Sequence, residues 1–225
     1  MDRELQLELT HYFESANDGS AQENFLRELA NEEVQRGICL HLVLTWMLLY
    51  KRANNTKAPN IIWQEMKTPS MIKQIANNQR AYININETDN GISESITLLG
   101  LINNATVNFE ESADIQPLMN ITLGHTPMNL LCIYLYKGNE LVGGHAIGAI
   151  KHNEKLYLFD PNVGVMQVPY EEKDILLSKV SYIYETRWGN EIMGKYIYMK
   201  LPKPYPNGAA NTAPFFYSTP LVAIG

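Results

Sequence analysis

The longest uninterrupted apolar pattern in the chain follows Gly37. In CLHLVLTWMLLYKRA, residues 40–50 are apolar nearly all round, broken only by His41 and Thr45. A helix apolar on every side is buried inside a domain, so this segment predicts a central core helix starting near Cys39. Residues 3–14 and 21–35 have helical composition, with Asn17 or Ser20 as a cap for the second. NNTKAPN (54–60) reads as a loop, 61–79 as one further helix, and the Asn-rich stretch 80–125 as irregular apart from a helix around 92–102.

From residue 128 the period changes. MNLLCIYLY, LVGGHAIGAI and KLYLFD are strand-like, and the runs KGNE (137–140) and KHNE (151–154) between them are turn-like, which predicts an antiparallel meander. A short helix over 171–180 and β-rich segments at YIYE (182–185) and KYIYMKL (195–201) complete the pattern. Helices first and an antiparallel sheet second make an α+β layout. One domain is expected over residues 1–201. The tail 202–225, with five prolines, is expected to be extended or disordered.

Composition adds a few exclusions. The 225 residues carry a net charge of −6, the wrong sign for a general nucleic-acid binder, which needs a basic face for the phosphate backbone. No apolar run is long enough to span a bilayer, and the acidic amphipathic start MDRELQLELTHYFES lacks the apolar stretch of a secretory signal. Export, if it occurs, would use another route. Cys39 and Cys132 are the two cysteines, both in apolar runs, so neither a disulfide framework nor a metal cluster is expected. No two histidines form a ligand pair on a helix or strand, and no cofactor is expected.

Candidate chemistry lies in three separated residues. Cys39 opens the buried helix, where the dipole favours a thiolate and backbone N–H groups can receive an oxyanion; a small apolar core residue is the competing reading. Cys132, mid-strand in LLCIYLY, reads as core. His145 in GGHAIGAI has small neighbours that admit a substrate or another backbone, although a histidine merely hydrogen-bonded in a half-buried strand also fits. Asp160 in LFDPN either starts a turn or serves that histidine. A hairpin loop centred between His152 and Asn153 pairs residues whose numbers sum to 305 and sets His145 opposite Asp160, with Cβ atoms about 4.5–5.5 Å apart. A carboxylate at that distance holds an imidazole N–H and fixes its tautomer.

His41, about 200° round the helix from Cys39, cannot face the thiol. His152 falls in the expected turn, and His11 and His125 lack partners at an informative spacing. Gln35 in the loop before the nucleophile's helix is the candidate second oxyanion donor, beside the Cys39 N–H. Trp46 and Trp63 read as core.

The motifs GICLHLxxxW around Cys39, GHAIGAI around His145 and LFDPNVG around Asp160 resemble those of the YopT-type cysteine proteases, a papain-like group that bacteria deliver into host cells as effectors. The separations agree with the family: 106 residues from Cys39 to His145 and 15 from His145 to Asp160. The resemblance implies a papain-like fold and a thiol protease with Cys39 as nucleophile, His145 as general base and acid, and Asp160 orienting His145. Gln35 is closer to the cysteine than the family's oxyanion residue. Family substrates include prenylated Rho GTPases and host kinases, so the implied partner is a host protein, and a monomer is the expected state. The same triad also serves glutamine deamidation or transglutamination, and a papain-like fold can act as a binding module without turnover.

Overall fold

The apolar run after Gly37 forms helix α1, Cys39–Arg52, in which Leu40 to Leu48 and Tyr50 are buried. The computed structural model that shows this describes residues 9, 12, 38–54, 56–85, 109–112, 128–137, 140–188 and 193–200. The expected helices at 3–14, 21–35 and 92–102 and the tail 202–225 therefore lie outside the described residues, Leu9 and Tyr12 excepted. Lys51 and Arg52 in the last turn of α1 complement its dipole. Asn54, at φ 49°, takes the left-handed conformation that ends it.

The single helix expected over 61–79 is two helices, α2 (Pro59–Met66) and α3 (Pro69–Ile85). Pro69 explains the division. Proline has no N–H for the preceding turn and clashes with it, but fits the first position of a new helix. Thr68 assists from outside, its Oγ1 accepting the Met71 N–H at 3.4 Å.

Among the described residues six strands make one antiparallel sheet: β1 (Phe109–Ser112), β2 (Met128–Lys137), β3 (Glu140–His152), β4 (Lys155–Asp160), β5 (Gly164–Pro169) and β6 (Met193–Lys200), in the order β1-β6-β2-β3-β4-β5. The expected meander is β2-β3-β4. It continues into β5 through the turn after Asp160, where Gly164 sits at φ 122°, a conformation open to glycine. β1 and β5 have no counterpart in the sequence reading. Helix α4 spans Lys173–Trp188 behind a short turn at Tyr170–Glu172, so YIYE (182–185) is helical, not β-rich. Leu176, Leu177 and Val180 anchor α4 in the core, and that burial outweighs the β-propensity of the Tyr-Ile-Tyr run.

Side-chain alternation sends the two faces of the sheet into two cores. Ala146, Ile150, Tyr157 and Phe159 join α1, α2 and α3. Ile147, Ala149, Leu156 and Leu158 join Leu9, Tyr12 and α4. On the first side Phe159 lies against Trp46 and Trp63, with ring centroids 5.2 and 4.6 Å away. Trp46 Nε1 donates to the Pro59 carbonyl at 2.8 Å, tying α1 to α2. Both tryptophans are core residues, as expected. His41 is buried and bonds Gln79 Oε1 through Nδ1 at 2.9 Å, tying α1 to α3. Burial pushes its pKa down to about 4 against the opposing effect of that bond, so it is neutral at physiological pH.

Candidate active site

Cys39 is the first residue of α1, and Ile38 before it caps the helix without a side-chain hydrogen bond. The first turn carries no acidic residue, so nothing there opposes the positive helix end. Cys39 is partly exposed, whereas Cys132 is buried. Cys132 pairs with Ala146 across β2 and β3 and belongs to the core, as expected.

His145 lies on β3 and Asp160 ends β4; both are buried. Nε2–H of His145 donates to Asp160 Oδ1 at 2.9 Å. The predicted contact forms, but not by the predicted pairing. The hairpin turn is Asn153-Glu154, both at positive φ, and partners in β3 and β4 sum to 307, from His152↔Lys155 to Gly148↔Phe159. His145 is thus one pleat away from facing Asp160 directly. A shift of two in the sum preserves the face, because side chains alternate with period two. Diagonal neighbours on one face remain within reach of long side chains. His145 lies beyond the last β3–β4 pair, where no ladder closes the space between the strands.

The Asp160 oxygen is itself held. Oδ1 also accepts the Asn162 N–H at 2.8 Å, and the Asp160 carbonyl accepts the Val163 N–H at 2.9 Å. Both readings of Asp160 are therefore realised: it starts the turn and it holds the histidine. The backbone of Asn162 was missed as part of the site, although the Asp-Pro-Asn turn signal was visible in the sequence.

Cys39 lies close enough to the imidazole to act on its electrostatics. With Nε2 committed to Asp160, Nδ1 is the nitrogen available to the sulfur. Burial alone would lower the His145 pKa. The charge and hydrogen bond of Asp160, then the nearby Cys39, outweigh it and raise the pKa to about 10. The arrangement holds an imidazolium between a carboxylate and a sulfur. Gly144, next to His145, is exposed, so the site borders solvent.

The remaining candidates fall elsewhere. Gln35, His11 and His125 lie outside the described residues. His152 is not in the turn: it ends β3, buried, with Nδ1 3.1 Å from Tyr50 Oη and Nε2 3.0 Å from Asn153 Nδ2. Burial lowers its pKa. Among the described residues, no group of three His, Cys, Asp or Glu residues is placed to hold a metal ion, and no helix is long and apolar enough to cross a membrane.

Comparison with known proteins places this geometry in context. The peptidase family described as Yersinia/Haemophilus virulence surface antigen matches residues 5–195. The crystal structure of the Pseudomonas avirulence protein AvrPphB superposes with a TM-score of 0.55 at 14% identity, covering 84% of this chain and 98% of that one. At that identity the likeness shows the fold, which is papain-like α+β. No curated protein matches the sequence.

Proposed function

Because the chain belongs to the Yersinia/Haemophilus virulence surface antigen family of YopT-type cysteine peptidases, we propose that it hydrolyses peptide bonds of host proteins, with Cys39 as nucleophile, His145 as general acid and base, and Asp160 as the group that aims His145. The observation that carries this reading is the buried His145–Asp160 hydrogen bond at 2.9 Å, with Cys39 at the head of α1 near enough to join Asp160 in raising the His145 pKa to about 10. At neutral pH the imidazolium is ready to protonate a leaving amine.

The Cys39 sulfur attacks the scissile carbonyl carbon, and the oxygen takes up the electron pair. The Cys39 N–H at the head of α1 is the nearest donor to that oxyanion, with Gln35 as the proposed second donor. Collapse expels the amine, which leaves with the proton from His145 Nδ1, and a thioester forms. His145, now neutral, takes a proton from water as the water attacks the thioester. The acid product departs and Cys39 is regenerated as the thiolate beside His145 in its protonated form. Nε2–H stays on Asp160 throughout, so the ring does not rotate and the tautomer is fixed.

Delivery into a host cell belongs to this proposal, as does a monomeric, metal-free enzyme. The test is peptide and intact-mass analysis of host lysate treated with wild-type protein and with Cys39→Ala. New chain ends that appear only with the wild type are expected. Glutamine-to-glutamate shifts without new ends would replace hydrolysis by deamidation, and identical lysates would leave a papain-like binding module.

A further inference from the structure

We infer that Gly148 is a positioning residue, whose missing side chain lets α1 seat against β3 closely enough for Cys39 to reach His145. The inference rests on the proposed Cys39–His145 chemistry.

A Cβ at Gly148 would lie 2.8 Å from Val43 Cγ1, 3.0 Å from Trp46 Cζ3 and 3.2 Å from Met47 Cε. The first is a distance that real Cβ atoms essentially never show. Cys39, Val43, Trp46 and Met47 fall at i, i+4, i+7 and i+8 along α1, so the stripe that presses on Gly148 is the stripe that carries the thiol. A glycine inside a strand commonly marks such a close approach.

The strand is not free to yield. Gly148 pairs with Leu130 on β2 and with Phe159 on β4, so ladders hold it on both sides. A methyl group there moves the helix instead. The contact is also linked along the backbone to each of the three proposed residues. Cys39 is one helical turn from Val43, His145 is three residues along β3, and Asp160 directly follows Phe159, the partner of Gly148. A displacement of α1 from β3 at this point therefore lengthens the sulfur–imidazole contact and leaves His145–Asp160 intact. GGHAIGAI had offered small residues for a substrate or another backbone; Gly148 admits the nucleophile's own helix.

The experiment follows iodoacetamide alkylation of Cys39 at near-neutral pH by peptide mapping, in wild type, Gly148→Ala, Val43→Ala and the double variant, with thermal unfolding to establish folding. Imidazole NMR follows the His145 titration in the same set. Wild-type Cys39 should react faster than a free thiol. Gly148→Ala should react slower than wild type by about tenfold to a hundredfold, the penalty of an ångström-scale misplacement. His145 in that variant should lose its proton at lower pH, because the Cys39 contributions are gone while those of Asp160 remain. The double variant should recover the rate of Val43→Ala alone, since Val43 makes the tightest contact. That recovery decides the matter if Gly148→Ala by itself does not fold. A folded Gly148→Ala that matches wild type, or a folded double variant that stays slow, overturns the inference. A wild-type Cys39 no faster than a free thiol overturns the functional reading beneath it.

Discussion

Asp160 Oδ1 accepts two hydrogen bonds, one from His145 and one from the Asn162 backbone, so the turn that ends β4 also aims the imidazole. Asp160→Asn retains an acceptor for both donors and removes the charge. The largest influence raising the His145 pKa is then gone, and it should fall from about 10 toward its ordinary 6.5. Folded His145 keeps its proton up to about pH 10, whereas the unfolded chain releases it near 6.5. The contribution to stability is complete below 6.5 and is lost as pH rises toward 10. Urea denaturation across that window should show wild-type stability declining and the decline flattened in Asp160→Asn. Asp160→Ala, which cannot orient the ring at all, should lose about 10²-fold or more in turnover. As candidates, Cys39, His145 and Asp160 were legible at this scale because the chemistry proposed for them is carried by residue type and local punctuation. Gly148 was legible only as a small neighbour, since nothing local says which helix will press on it.

The hairpin that brings His145 and Asp160 together turns at Asn153 and Glu154, with φ 47° and 57°. Two positive φ values in a two-residue loop match a type I′ turn, whose second position favours glycine. Glutamate there bears left-handed strain, and its ion pair with Lys151 at 3.8 Å leaves Glu154 largely exposed and contributes little. Glu154→Gly should therefore stabilise the protein by about 0.5–1 kcal/mol after the entropy added to the unfolded chain, read from the urea midpoint. Activity should not change, because the turn is seven residues of β3 from His145. Asn-Glu lacks the strong signature of Asn-Gly, which is why the sequence alone placed the turn one residue early. The error shifted the pairing by two and left the faces unchanged. By contrast, YIYE was misread outright: its β-branched and aromatic residues suit a strand, but α4 is held by Leu176, Leu177 and Val180 ahead of it.

Across the whole molecule the sheet separates two cores, and neighbours in sequence serve different ones. Phe159 fits between Trp46 and Trp63 on the α1 side, while Leu158 packs with Leu9, Tyr12 and α4 on the other. Phe159→Ala should cost about 3–5 kcal/mol and Leu158→Ala about 2–5 kcal/mol. Their side chains share no cluster but their backbone is continuous, so the coupling in the double variant, measured by equilibrium denaturation, reads how far the sheet links the two layers. A large coupling would mean that the sheet transmits strain between the layers.

Local pattern determined that a helix beginning at Cys39 must be buried, because residues 40–50 offer no polar face to water. It also determined that His145 and Asp160 share a face, because strand periodicity and an even loop require it whether partners sum to 305 or 307. Folding in three dimensions decided the rest. The place of β6 between β1 and β2, the diagonal reach from His145 to Asp160, and the seating of α1 on Gly148 depend on residues far apart in the chain. Pairing and close packing choose among arrangements that local sequence leaves equal, and the distance from the Cys39 sulfur to its imidazole is set by that choice.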